Sequence, residues 1–257
     1  VKIALILCGA LAREIMALVE RHGWQVSLHA VPAGDHLFPQ RIAPKVERLL
    51  RQLIPTHDRV AVIYGDCGTY GALDAVLARF HVPRLTGLHC YEWFAEQKGA
   101  PGRFAQLMSA EPGTFFLTDF LVRSFEGTVL KGLGIDRHPE LLPVYFGNYT
   151  RLLYLAQRDD AYLLAKAGQI AAQLGLPLTV EQNGYAGLET RLLELLATLP
   201  DDQFRPVLPD DPMESTGEPT DGKLPDHVLA RHPGASAGER RAHARERAVA
   251  RPFSRGG

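Results

Sequence analysis

Three cysteines, Cys8, Cys67 and Cys90, each stand between an apolar run and an amphipathic one, in LILCGALARE, VIYGDCGTYGALD and LTGLHCYEWF. An odd cysteine count on a 257-residue chain argues against a disulfide framework and leaves thiols, metal ligands or transient redox partners. A helix amino terminus behind a cysteine stabilises the thiolate, the form that binds metal or attacks an electrophile. If the sulfurs converge, they offer three thiolates and one further position, for which His89, Glu92, Asp66 or an exogenous ligand are candidates. Three thiolates with an imidazole suit structural zinc, whereas three with an open position suit catalytic zinc or a four-iron cluster with one exchangeable iron. There are no local Cys-x-x-Cys pairs, so the spacing does not choose among these. Isolated buried thiols and a single catalytic cysteine are the alternatives.

The turn GDCGTYG raises a second chemistry. Gly65, Asp66, Gly68 and Thr69 lie between an expected strand and an expected helix, where backbone amides can cradle a phosphate. The spacing is neither a dinucleotide fingerprint nor a P-loop, and Asp66 would repel a phosphate unless a metal or an arginine intervened. Glycines that let backbone approach a bound ligand closely are the simpler explanation. Asp119 and Arg123, one helical turn apart after the run GTFFLT, face a cleft or serve as a helix cap with a solvent-facing arginine. Tyr145 and Asn148 in YFGNYTR form an aromatic and amide group that reads either as site or as core. Together Asp119, Arg123 and Glu92 are the candidate catalytic groups. His29, His36, His57 and His81 have no partner spacing and read as surface or locally bonded histidines. Signatures of serine hydrolases, zinc proteases and kinases do not occur.

The elements that must position these residues alternate. Short branched-apolar runs (KIALILCG, WQVSLHAV, RVAVIYG, VPRLTGLHC, GTFFLTD, RLLYLAQ, PLTVEQ, FRPVLP) are separated by amphipathic segments. The pattern predicts an α/β fold with a mostly parallel, Rossmann-like sheet of about eight strands and helices on both faces. One domain over residues 1–209 is expected, with two pseudo-repeated halves meeting near residue 112 as the alternative. In open sheets of this kind ligands bind beyond the carboxyl ends of the strands. Cys8, Cys67 and Cys90 all fall on that one edge.

A net charge of −1 and 46% hydrophobic residues describe a chain able to bury a sizeable core. No apolar run reaches the roughly 18 residues of a membrane span and the first segment does not read as a signal peptide, so a cytoplasmic protein without membrane contact is expected. From residue 210 the chain is first acidic and rich in proline and glycine, then basic without a spaced apolar face. Such a segment buries too little to offset the entropy of ordering and is expected to be a disordered tail over 210–257. Its arginines allow a nucleic-acid arm, but a solvated extension is the preferred reading.

CGALARE, YGDCGTYGALD, GLHCYEWFA, GTFFLTDFLVRSF and HPELLPVYFGNYTRLLYL, taken together, resemble the bacterial and archaeal family called domain of unknown function 1638, over about residues 1 to 209. The resemblance implies a setting beside corrinoid-dependent methyltransferase systems and carries the motif cysteines over as Cys8, Cys67 and Cys90, with Asp66, Glu92 and Asp119 as neighbours. The expectation is then a metalloprotein of one-carbon metabolism, holding zinc or an iron-sulfur cluster and serving as enzyme or activation factor. A corrinoid protein or methyltransferase is its expected partner. The alternatives are a phosphate- or nucleotide-binding module and a metal-free accessory of a methyltransferase.

Overall fold

The computed structural model describes residues 1–96, 102–200 and 206–209. The expected tail over 210–257 lies outside the described residues.

Among the described residues, six strands form two separate parallel sheets. In the first, β1 (Ile3–Cys8) lies between β2 (Val26–Val31) and β3 (Arg59–Ile63). In the second, β5 (Arg151–Ala156) lies between β4 (Thr114–Thr118) and β6 (Leu178–Gln182). The single sheet of about eight strands is therefore corrected to two sheets of three, within the expected α/β class. One lost strand is VPRLTGLHC. Pro83 has no amide hydrogen to continue a ladder, so the segment touches β3 through a single bridge, Val62 to Arg84, and then turns away. Thr86 spends its carbonyl on Trp93 Nε1 at 2.8 Å, and Gly87 adopts a φ of 134°. The other is FRPVLP. Its first two residues fall outside the described ones, and its remainder makes one backbone bond, from Val207 N to the Phe80 carbonyl.

The helices follow the amphipathic segments. α1 (Ala12–His22) ends at Gly23 in the left-handed region. It is followed by α2 (Ile42–Leu53), α3 (Ala72–Phe80), the short α4 (Cys90–Ala95) and α5 (Arg103–Ala110). α6 (Asp119–Phe125) continues as one wide π-type turn to Lys131. Pro143 lies in the first turn of α7 (Leu142–Phe146), where its missing donor costs little, so it opens this helix instead of breaking it. α8 (Ala161–Leu174) is capped by Asp160, which accepts from Leu163 N at 3.1 Å, and stopped by Gly175. α9 (Ala186–Thr198) closes the described chain's helices.

Strand periodicity explains how the sheets share an interior. Successive side chains point to opposite faces. Leu153 and Leu155 of β5, with Phe116 of β4, enter the same apolar cluster as Leu5, Ile6 and Ile63 of the first sheet. Leu152, Tyr154, Ala156 and Leu117 face the other way, onto α6 and α8. Between the sheets α4 packs on α9, and Gly187 lies against the Trp93 carbonyl where no Cβ would fit. Each fully buried aliphatic or aromatic side chain contributes about 1.5–3 kcal/mol.

No helix among the described residues is long and apolar enough to cross a membrane.

Candidate functional site

The carboxyl end of β1 delivers Cys8, whose Sγ accepts from the Ala10 amide at 3.4 Å as the chain turns toward α1. Behind it, from the loop after β2, comes His36. Its Nδ1 lies 2.9 Å from the Ala33 carbonyl, so this nitrogen carries the proton and donates. Nε2 is thereby aimed at Cys8 Sγ, 3.7 Å away. Burial opposes a charge on this imidazole, but hydrogen bonds with Cys67 and Cys8, and their charges, outweigh it and raise His36 to about 11. His36 thus meets two of the three sulfurs.

Cys67 reaches the same point through an unusual backbone. It has a φ of 47° and Tyr70 a φ of 52°, both in the left-handed region that costs non-glycine residues about 1 kcal/mol or more. Two sets of contacts hold it there. The Cys67 amide donates to the Leu88 carbonyl at 2.7 Å, and the Asp66 amide to Gly87 at 3.1 Å. The Asp66 carboxylate accepts from Thr69 Oγ1 (2.7 Å), Tyr70 N (3.1 Å) and Gly71 N (2.9 Å). Burial would raise this carboxyl, but those three donors hold it below its usual range. Asp66 and Thr69 therefore close the turn, and Asp66 already occupies two of the amides that a phosphate would need.

Gly65 permits the close approach. A Cβ there would stand 2.8 Å from His89 Cα and 2.9 Å from the Leu88 carbonyl oxygen. Gly68 has a φ of 81° and lies on Pro39.

Cys90 is the first residue of α4, not the end of a strand. Its thiol is pushed well up by burial first, then by charge on Cys67 and Cys8, with Glu14 adding to the effect. The charges of Cys67 and Cys8 thus reach Cys90, although Cys90 stands on a helix and not on the sheet edge expected for all three. The Tyr64 hydroxyl, wholly buried, faces them and is pushed up by burial and by the charges of Cys8 and Cys67. Among the described residues no three His, Cys, Asp or Glu side chains are already arranged to hold a metal ion.

Other candidates have different surroundings. The His89 ring packs on Tyr91 (5.2 Å between centroids) and Phe104 (4.8 Å), and the imidazole that meets Cys8 is His36. Glu92 accepts from the Leu88 amide at 2.8 Å and pins the loop ahead of α4. Tyr145 and Asn148 precede β5, at the amino end of the second sheet; Tyr145 packs on the second apolar cluster.

Asp119 and Arg123 build a second polar group where β4 runs into α6. Asp119 is fully buried and accepts from Tyr154 OH (2.7 Å), Gln157 N (3.0 Å) and Arg158 Nε (3.3 Å). Arg123 Nη2 reaches across to Glu14 Oε1 on α1 at 3.4 Å. Glu14 is 1% exposed, and burial raises its carboxyl despite Arg123. The sequence reading placed His36 among the surface or locally bonded histidines, where the structure sets it against Cys8, and did not single out Glu14. The strand-edge rule that singled out the cysteines, applied to the loop after β2, would have found His36.

A family model described as protein of unknown function (DUF1638) matches residues 30–192. The matched range includes His36, Cys67, Cys90, Asp119 and Arg123 and begins after Cys8 and Glu14. No curated protein and no solved structure matches the chain.

Proposed function

The chain belongs to the DUF1638 family of proteins of unknown function, and on that premise we propose that Cys8, Cys67 and Cys90, with His36, form a thiolate centre that binds a metal. The observation that carries this reading is the orientation of His36. Its outer nitrogen is tied to a backbone carbonyl and its inner nitrogen faces sulfur, which is how imidazole ligands are commonly held. Two ligands of a tetrahedral zinc, with bonds of about 2.3 Å to sulfur and about 2.0 Å to nitrogen, stand roughly 3.5 Å apart. The 3.7 Å between Cys8 and His36 matches that edge. Burial, and then charge on Cys67 and Cys8, holds the Cys90 thiol well up, and a bound cation would offset that cost.

Bound zinc would act as a Lewis acid that holds an acceptor thiol, and a bound iron-sulfur cluster would relay electrons. Either suits the corrinoid-dependent methyl transfer implied by the family resemblance, with a corrinoid protein or methyltransferase as partner. The chain's own residues would orient His36 through Ala33, bring Cys67 forward on the Asp66 turn, and exclude water with Tyr64.

The absence of a preformed three-donor group among the described residues favours a second reading, a metal-free thiolate paired with the His36 imidazolium. Elemental analysis and visible absorption of protein purified without oxygen separate the two. Stoichiometric metal that Cys67→Ser abolishes supports the metal centre. Metal-free protein whose thiols titrate together with His36 supports the second reading and rules out the first.

A further inference from the structure

Ser27, His29 and His57 meet on the first sheet at a place the thiolate centre does not use. Ser27 is the second residue of β2 and pairs with Ala4 of β1, whereas Cys8 closes β1 four residues further on, roughly 13 Å along the strand. All three side chains are half-buried, so solvent reaches the group. His57 Nε2 lies 3.0 Å from Ser27 Oγ, and His29 Nε2 lies 3.1 Å from the same oxygen. The surroundings decide where the protons sit. His57 Nδ1 lies 3.1 Å from the Leu53 carbonyl oxygen, which can only accept, so Nδ1 carries the ring proton of a neutral imidazole. Thr56 Oγ1, 3.0 Å from Nδ1, spends its own proton on the same carbonyl at 3.1 Å and has only lone pairs left for the ring. Nε2 is therefore the bare nitrogen and accepts the Ser27 hydroxyl proton, for which the Ile3 carbonyl at 3.5 Å is the poorer alternative. Ser27 Oγ in turn accepts from His29 Nε2.

We infer that Ser27 is a nucleophile toward small esters, with His57 as its general base. A serine hydroxyl attacks poorly until a positioned base takes its proton, and that base must be held in the tautomer that leaves the facing nitrogen bare. The Leu53 carbonyl does this for His57, in the place that a carboxylate takes in a catalytic triad. Ser27 stands on a strand and not on a Gly-x-Ser-x-Gly elbow, so geometry identifies it where the sequence does not. His57 also lines a cleft of about 420 Å³ with Lys2, Ile54, Pro55, Thr56 and Arg59. That volume suits a small ligand. β2 is an edge strand, so alternate amides beside Ser27 point away from β1, where an oxyanion forming on the ester can meet a donor.

The chemistry closes on itself. His57 Nε2 takes the hydroxyl proton as Oγ bonds to the ester carbonyl carbon, and the bond from that carbon to the alcohol oxygen then breaks as the proton passes to the departing alcohol. Water next gives a proton to His57 and adds to the acyl carbon. The carboxylic acid leaves as the bond to Oγ breaks and the proton returns to Ser27, so ester and water become acid and alcohol. This site is separate from the thiolate centre proposed above and does not rest on it. Charged and titratable groups beside His57 are Lys2, Asp58 and Arg59 around the cleft and His29 across Ser27.

The test is reaction of the full chain with an alkyl fluorophosphonate, whose fluoride leaves as Oγ bonds to phosphorus, followed by peptide mass mapping. One label per chain, on Ser27, is expected. His57→Gln should slow the labelling at least about a hundredfold, the scale of a lost general base, while circular dichroism and the urea midpoint report whether that variant keeps its fold. In the parent protein, where folding is not in question, the labelling rate should rise over roughly pH 5 to 8 as the imidazole base loses its proton. With accessible thiols alkylated beforehand, release of nitrophenolate from p-nitrophenyl acetate should fall at least tenfold in Ser27→Ala. No label on Ser27, labels spread over serines generally, a flat pH profile, or ester cleavage unchanged in Ser27→Ala overturns the proposal.

Discussion

Cys8 Sγ and His36 Nε2 lie 3.7 Å apart although 28 residues separate them, because parallel pairing of β1 with β2 brings both strand ends to one edge. The register sets Cys8 beside Val31, and the short turn Ala33–Leu37 then carries His36 back over the thiol. The contact is thus a product of sheet topology.

His36→Ala removes the imidazole and leaves the sulfurs in place. Zinc affinity, measured by competition with a chromogenic chelator, should fall by more than about tenfold, the scale on which even supporting partners of metal ligands act. His89→Ala, which loses a ring packed on Tyr91 and Phe104, should leave zinc affinity within a factor of a few.

Gly65→Ala drives a methyl group into the backbone at Leu88 and His89, neither of which can yield as a side-chain tip would. Overpacking of this kind costs about 1–3 kcal/mol. Urea denaturation should show that loss, and modification of Cys67 by a thiol reagent should accelerate as the two loops part.

Asp119→Ala leaves the Tyr154 hydroxyl and the Gln157 amide buried without their acceptor. A loss of about 3 kcal/mol or more is expected in chemical denaturation, since removing one member of a buried charged network strands the others. Asp119→Asn, which retains an acceptor oxygen, should cost less.

Glu14 gives the fold a pH dependence of definite sign. Its carboxyl titrates higher in the folded than in the unfolded chain, so the native state holds the extra proton between those two values. Its contribution therefore falls as pH rises from about 4.5 through the raised folded value, and the loss is complete above it. Glu14→Gln has no such proton to lose. The difference in urea midpoint between Glu14→Gln and the parent protein should grow with pH across that window, and equal slopes would contradict the assignment.

Much of this was legible in the chain. Short branched-apolar runs marked all six strands, and the strand-edge rule placed Cys8 at the end of β1 and Cys67 just past β3. The division into two sheets was harder to see, because VPRLTGLHC has the composition of a strand, and only the missing amide of Pro83 and the turn at Gly87 end its pairing. Glu14 carries no signal of its own in the sequence. Its burial depends on Arg123, 109 residues away, and no local pattern encodes that.

The second sheet sends Phe116, Leu153 and Leu155 into the first sheet's apolar cluster, so the two sheets share that interior even though the second has a further cluster on its other face. A chain cut between the sheets would expose a greasy wall on each fragment, and each should depend on the other for solubility. Heating the intact protein should accordingly give one melting event, with aromatic and backbone circular dichroism lost together.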